Sequence, residues 1–119
     1  MKIRINGDTI RLRLSQTEVA EIGKFNPVAQ TTDFGDTQFT YSLDTHITPL
    51  PISATYADNH MRISINQNIA ALWANSDEVG ISSNAAVKPS ILIEKDFQCL
   101  TVRAGEDESD LFENPNTNC

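Results

Sequence analysis

Two short stretches of the chain repeat one another, and this repeat constrains the fold more than any other feature of the sequence. "DTIRLRLSQ" (residues 8–16) aligns with "NHMRISINQ" (residues 59–67), and every position pairs at an offset of 51 residues. Arg11 matches Arg62, and apolar residues occupy alternate positions in both copies. Alternation of this kind indicates a half-buried β-strand. Both copies therefore predict the same element at the same place in a duplicated unit.

The residues before the first copy predict a β-hairpin. Apolar side chains alternate with basic ones on both sides of Gly7-Asp8, a pair that suits a two-residue turn. Such a turn places Ile5 opposite Ile10 and Ile3 opposite Leu12. One face of the predicted hairpin is then wholly apolar.

A helix is expected directly after each copy. "SQTE" begins the first helix as a capping box, in which Ser15 and Glu18 bond each other's backbone amides. Asn66 is the equivalent cap of the second helix. That helix carries Ile69, Leu72 and Trp73 at the spacing of a core-facing stripe, so Trp73 is expected to be buried.

Further alternating segments follow each helix, so residues 2–45 and 53–97 each predict a ββαββ unit. The fold class expected is α+β, with about eight antiparallel strands arranged as a curved sheet or open barrel and two helices covering it. Residues 1–103 would form a single domain, and residues 104–119 an acidic C-terminal tail.

The overall charge limits the partners that such a domain can have. The formal net charge is −7 and the isoelectric point is about 4.6. This field repels phosphate backbones and anionic membranes, so nucleic acid and membrane partners are not expected. The start of the chain lacks the apolar core of a signal peptide, and no apolar run is long enough to span a bilayer. A cytoplasmic protein is the expectation.

One predicted face nevertheless concentrates positive charge. The hairpin register places Arg4 opposite Arg11 and Lys2 opposite Arg13, and like charges directly opposite each other are destabilising. Solvation of the side chains would reduce this repulsion, and a bound anion would remove it. Arginine suits this role because its guanidinium group can form two parallel hydrogen bonds to a carboxylate or phosphate. The candidate ligand-binding residues are Arg4, Arg11, Arg13, Arg62 and Glu94.

Three sources of a neutralising anion compete. The first is the chain itself, through Glu94 and Asp96 or through the acidic tail, which we expect to fold back onto the basic hairpin. In that tail, "EDESD" (residues 106–110) precedes Leu111-Phe112, an apolar pair able to anchor it. The other two sources are a small anionic ligand and an acidic patch on a partner protein.

No metal or cofactor is expected. The nitrogen and sulfur candidates lack the paired spacing of a zinc site, and no glycine-rich phosphate loop is present. The two histidines, His46 and His60, are expected at the surface. Cys99 shares a predicted strand face with Phe97 and is interpreted as a small core residue.

Taken whole, the sequence resembles a small bacterial family of proteins of unknown function. The resemblance is carried by "MKIRINGDTIRLRLSQTEV" at the start and "EKDFQCLTVRAGEDESDLFENP" near the end. It implies a bacterial, cytoplasmic setting and no particular chemistry. The strand count also invites comparison with the triphosphate-tunnel barrels, whose first strand carries alternating glutamates where this chain has "KIRIN".

The functional expectation that follows is a non-catalytic binding or protein-interaction module. The alternative is a small enzyme or sensor that binds a phosphorylated or carboxylated ligand at the basic sheet face, as a triphosphate-tunnel protein would. The position of Arg62 discriminates between the two functions. A small-ligand site is favoured if Arg62 shares a concavity with Arg4 and Arg11.

Overall fold

The computed structural model describes residues 1–97 and 109–113, which form eight strands and two helices. The strands are β1 (Lys2–Asn6), β2 (Thr9–Leu14), β3 (Val28–Asp33), β4 (Gln38–His46), β5 (Ile52–Ala57), β6 (His60–Asn66), β7 (Gly80–Ser82) and β8 (Ser90–Lys95). The helices are α1 (Gln16–Gly23) and α2 (Gln67–Ala74). The predicted α+β class, with eight strands and two helices, is confirmed.

The strands form two four-stranded sheets. Sheet A has the order β1-β2-β8-β7, and sheet B has the order β3-β4-β6-β5. The central pairs β2–β8 and β4–β6 are parallel, so the expectation of wholly antiparallel strands is wrong. The reason is that each sheet joins a hairpin from the first half of the chain to a hairpin from the second half. Long connections separate the paired inner strands, and such connections permit parallel pairing.

Neither sheet closes into a barrel. Sheet A ends at β1 and β7, and sheet B ends at β3 and β5. The described strands therefore do not support the open-barrel alternative, and they enclose no tunnel of the kind found in the triphosphate-tunnel barrels. Both halves do follow the order strand, strand, helix, strand, strand. Their origin by duplication stays a prediction.

The helix starts agree with the sequence. Ser15 Oγ accepts a hydrogen bond from the Glu18 amide, and Glu18 accepts one from the Ser15 amide, which completes the capping box. Asn66 caps α2 by accepting from the amides of Asn68 and Ile69. The helices approach closely where Gly23 meets Ala74, since a Cβ on Gly23 would lie 2.8 Å from that of Ala74.

The core lies between the inner faces of the two sheets and the helices. Of the apolar residues at alternate positions of the two repeated stretches, Ile10, Leu12 and Ile63 are buried, whereas Met61 is only partly buried. Trp73 is fully buried, and its indole Nε1 donates to the Val79 carbonyl at 3.2 Å. The prediction that Trp73 belongs to the core is thus confirmed.

The predicted apolar stripe of α2 is partly wrong. Leu72 is 72% exposed, and the buried residues of the helix are Ala70 and Trp73. The helix thus turns Ala70 and Trp73 toward the core and Leu72 toward solvent, while Ile69 is only partly buried. Position i+3 after Ile69 is therefore not on the buried face.

Lys95 lies on the core side of β8, in register with Leu14. Its Nζ donates to the Ser76 carbonyl at 2.6 Å and lies over the rings of Trp73 and Phe112 at 5.8 and 5.7 Å. Burial lowers the pKa of this ammonium group, although the carboxylates of Asp77 and Glu78 act in the opposite direction.

Residues 109–113 return to the body of the protein beside the start of α1. The Asp110 carbonyl accepts from the Gln16 amide at 2.9 Å, and the Thr17 hydroxyl donates to the Asp110 carboxylate at 3.0 Å. Leu111 is only 7% exposed, and the Phe112 ring packs 5.7 Å from that of Phe97. This pair anchors the segment, as the sequence suggested.

The anchored segment does not cover the basic hairpin. The Asp110 carboxylate accepts from the Thr17 hydroxyl in the first turn of α1, where the positive end of the helix dipole attracts negative charge. For Asp110, the prediction that the acidic tail binds the basic face is therefore wrong. Glu106, Asp107, Glu108 and both cysteines, Cys99 and Cys119, lie outside the described residues, so the predictions on them stay predictions.

Candidate anion-binding face

The outer face of sheet A carries the predicted set of basic residues. β1 pairs with β2 in the register Lys2↔Arg13, Ile3↔Leu12, Arg4↔Arg11 and Ile5↔Ile10. This is the register expected from a turn at Gly7-Asp8, whose Gly7 has a φ of 57° that favours glycine. Lys2, Arg4, Arg11 and Arg13 therefore share one surface, here called the basic face.

Two carboxylates of the last strand segment lie on the basic face. Glu94 is in register with Arg13, and it accepts a hydrogen bond from Arg11 Nε while Arg13 Nε lies 3.8 Å away. This hydrogen bond raises the pKa of the Arg11 guanidinium above its ordinary value. The chain's own carboxylates were one of the three predicted anion sources, and the structure brings Glu94 to Arg11 and Arg13.

The second carboxylate is that of Asp96, which is only 4% exposed. Lys2 Nζ lies 3.1 Å from its Oδ2, and the Asp96 backbone bonds to both Leu14 and Phe112. Asp96 thus balances Lys2 and links the end of β8 to the anchored C-terminal segment.

Arg4 differs from its three neighbours. Among residues 1–97 and 109–113 it makes no ion pair and no side-chain hydrogen bond, and it is exposed. The basic face holds four cations and two carboxylates, so it carries a local excess of positive charge in a chain whose net charge is −7. Within the described part of the chain, Arg4 is the member of this face that no carboxylate balances.

Arg4 and Arg11 border two depressions of the basic face. The larger is an open groove of ≈ 500 Å³, and the smaller has a volume of ≈ 120 Å³. The larger groove is lined by Arg4, Asn6, Thr9, Ile10, Arg11, Ser90 and Leu92. Hydroxyl and amide side chains thus stand beside the two guanidinium groups. This combination of donors suits an anionic ligand with further hydrogen-bond acceptors.

The structure places Arg62 on the other sheet. It lies on the outer face of sheet B, where its Nε is 3.9 Å from Asp44 Oδ2. It borders a separate groove of ≈ 220 Å³ together with Thr55, Ala57, Asp58 and His60. Arg4, Arg11, Arg13 and Glu94 therefore come together, and Arg62 does not join them.

A polar cluster around Arg62 was not predicted from the sequence. Asp44 accepts from Ser64 Oγ at 2.6 Å and lies 3.2 Å from His46 Nε2. Ser42 and His60 are hydrogen-bonded at 2.7 Å. The available signal was the run of polar residues at alternate positions of β4, which places them on one face.

The Ser42–His60 pair resembles part of a nucleophilic triad, but its geometry argues for a structural role. No carboxylate among the described residues contacts His60, so the pair lacks the group that orients a catalytic base. Ser42 is also buried, which limits access to its hydroxyl. In the same part of the chain, no group of three His, Cys, Asp or Glu residues is placed to hold a metal ion.

The geometry defines an open α+β protein of two mixed sheets, with a positively charged groove on the outer face of one of them. The chain belongs to the DUF7009 family, a family of unknown function whose model matches residues 1–116. No curated protein and no solved structure gives a significant match. No helix in the described part of the chain is long and apolar enough to cross a membrane.

Proposed function

We propose that this protein is a non-catalytic binding module of the bacterial cytoplasm that recognises an acidic protein partner through the basic face. The observation that carries the proposal is the state of Arg4, which is exposed beside the groove while Lys2, Arg11 and Arg13 each lie next to a carboxylate. An acidic partner would complete the charge balance that Glu94 and Asp96 leave incomplete.

The chemistry of the face favours binding over catalysis. Glu94 already accepts a hydrogen bond from Arg11 and lies 3.8 Å from Arg13 Nε, so its carboxylate is engaged within the chain. The remaining groove residues are arginine, amide, hydroxyl and aliphatic side chains. They supply hydrogen-bond donors and shape, which are the requirements for recognition.

A titration with an acidic peptide tests the proposal. The probe is an octapeptide in which glutamate alternates with valine, added to the intact protein at low salt. Binding should weaken about fivefold in Arg4→Ala, because an exposed ion pair contributes up to about 1 kcal/mol. Arg62→Ala removes the same side chain from a strand of sheet B and is the matched control, with affinity unchanged.

Salt provides a second arm of the same experiment. Screening shortens the range of exposed charge interactions to about 3 Å at 1 M salt, so the affinity should fall as salt is added. Absence of binding at low salt, or equal losses in Arg4→Ala and Arg62→Ala, would overturn the proposed role of the basic face.

The second candidate function is a sensor or small enzyme that binds a phosphorylated or carboxylated small molecule. The groove of ≈ 500 Å³ favours it, since small-molecule sites commonly measure about 300–1,000 Å³. Inorganic phosphate and citrate test this candidate in a thermal-shift assay. A rise in melting temperature that is lost in Arg4→Ala would support the small ligand, whereas no shift would favour the protein partner.

A further inference from the structure

Strand β1 is an edge strand, and its free edge adjoins the basic face. Among the described strands it pairs only with β2, and four of its five residues are exposed. An edge strand leaves a row of backbone amides and carbonyls without partners, and this row is a template for another strand. The question is which groups of β1 are available and what kind of strand they would accept.

The turn geometry identifies the free backbone groups. Gly7 and Asp8 form a two-residue turn, so the flanking pair Asn6↔Thr9 is hydrogen-bonded, and such pairs alternate along an antiparallel ladder. The backbone amide and carbonyl of Arg4 therefore bond to β2, whereas the backbone amides and carbonyls of Ile3 and Ile5 point toward the free edge. Within the described residues, the backbone groups of Ile3 and Ile5 make no hydrogen bond outside the β1–β2 pair.

The side chains of β1 define the complementary sequence. Lys2 and Arg4 point to the basic face, and Ile5, which points to the other face, is 54% exposed. A strand added beside β1 would place every second side chain next to these cations and the intervening ones next to Ile5. An acidic residue alternating with an apolar one matches both faces.

A second copy of this chain does not meet that requirement. Antiparallel pairing of two β1 strands about their centre places Arg4 opposite Arg4 on one face, and like charges directly opposite are destabilising. Basic residues on an edge strand thus discourage pairing between copies. The other described edge strands, β3, β5 and β7, contain no lysine or arginine, so charge complementarity singles out β1.

We propose that the acidic partner binds as an extended antiparallel strand added to the free edge of β1, with alternating carboxylates facing Arg4 and Lys2. This inference rests on the proposed function and specifies the partner's conformation and sequence pattern. Antiparallel addition is favoured because antiparallel pairs are the more stable and the more common arrangement.

N-methylated peptides test this binding mode without altering the protein. In antiparallel addition, the peptide residues opposite Ile3 and Ile5 share their face, so the valine amides of the alternating octapeptide point at β1. Methylation of the valine nitrogens should weaken binding at least about tenfold, which corresponds to about 1.4 kcal/mol. Methylation of the glutamate nitrogens, which point away, is the matched control and should leave the affinity unchanged.

A protein variant provides the reciprocal test. Ile5→Pro removes a backbone amide that points to the free edge and keeps the β1–β2 hydrogen bonds, and proline is tolerated on edge strands. It should weaken binding of the unmodified peptide to the same extent, while Ile5→Val should not. Circular dichroism of the Ile5→Pro protein checks that the fold is retained.

The outcomes separate this inference from the proposed function. Equal affinities for the parent and the valine-methylated peptides would overturn strand addition while the basic face remained a binding site. Loss of binding through glutamate methylation would overturn the antiparallel arrangement. A parent peptide that does not bind at low salt would overturn both proposals.

Discussion

Arg11 and Glu94 form an ion pair across the parallel strands β2 and β8, although 83 residues separate them in the chain. A related pair, Arg62 and Asp44, joins β6 to β4 in the other sheet. In each case the arginine comes from the first hairpin of one half and the carboxylate from the last strand of the other half. The central parallel pairing of both sheets is thus accompanied by a charge pair on the outer surface.

Removing the Glu94 charge should strengthen binding at the basic face. Glu94→Gln removes the negative charge that pairs with the guanidinium groups of Arg11 and Arg13. The affinity for the acidic octapeptide should therefore rise several-fold. The free energy of unfolding should change by less than about 1 kcal/mol, because the pair is partly exposed. Asp44→Asn makes the equivalent change beside Arg62 and should leave the affinity unaltered. A decrease in affinity in Glu94→Gln would show that Glu94 contributes to the ligand site directly.

Trp73 should be the most sensitive position of the second helix. Trp73→Ala removes a fully buried indole and is expected to lower the free energy of unfolding by about 3–5 kcal/mol, measured by urea denaturation. Leu72→Ala, one residue away and 72% exposed, should change it by less than about 0.5 kcal/mol. Equal losses in the two variants would contradict the observed orientation of α2.

Phe112 should hold the C-terminal segment in place. Phe112→Ala removes the ring contacts with Phe97 and Lys95, and an aromatic pair with its burial contributes about 1–2 kcal/mol. Hydrogen exchange of the Gln16 amide reports the segment directly, since this amide donates to Asp110. Its protection should fall in Phe112→Ala and persist in Glu113→Ala, which alters the exposed neighbouring residue. Unchanged protection in Phe112→Ala would mean that another contact anchors the segment.

The buried Lys95 should give the protein an alkaline pH dependence. Its folded-state pKa is lowered below the ordinary 10.5, chiefly by burial, so the unfolded chain binds the proton more tightly. The protonated form therefore destabilises the fold, and this cost is removed as the pH rises from the lowered pKa to about 10.5. Relative to Lys95→Met, the wild-type free energy of unfolding should increase between pH 7 and pH 10. A constant difference across that range would contradict the lowered pKa.

Local patterns predicted the parts of the fold that local chemistry determines. The register of β1 with β2 follows from one turn and the alternation of isoleucine with basic residues, and the Ser15 and Asn66 caps follow from side chains that bond adjacent amides. These interactions span only a few residues, so the sequence contains all of the partners.

Pairing between distant segments was not predictable in this way. Nothing in the local pattern of β8 specifies that it lies parallel to β2 from the other half of the chain. The position of Arg62 depends on this pairing. The first copy of the repeat, with Arg11, lies in sheet A, and the second copy, with Arg62, lies in sheet B. The polar contacts of Asp44 with Ser64 and His46 likewise arise only after β4 and β6 pair. Alternation did predict one group correctly, because it places these residues on one face of neighbouring strands: Arg4, Arg11, Arg13 and Glu94.

Nuclear magnetic resonance provides the most direct test of the central claim, that the basic face is the binding surface. Amide shifts of the ¹⁵N-labelled protein would be followed while the glutamate–valine octapeptide is added at low salt. The account predicts shifts in β1, at Arg11 and Arg13 of β2 and at the adjoining end of β8, with β4 and β6 unaffected. Shifts confined to β4 and β6, or no shifts at peptide concentrations in the millimolar range, would contradict it.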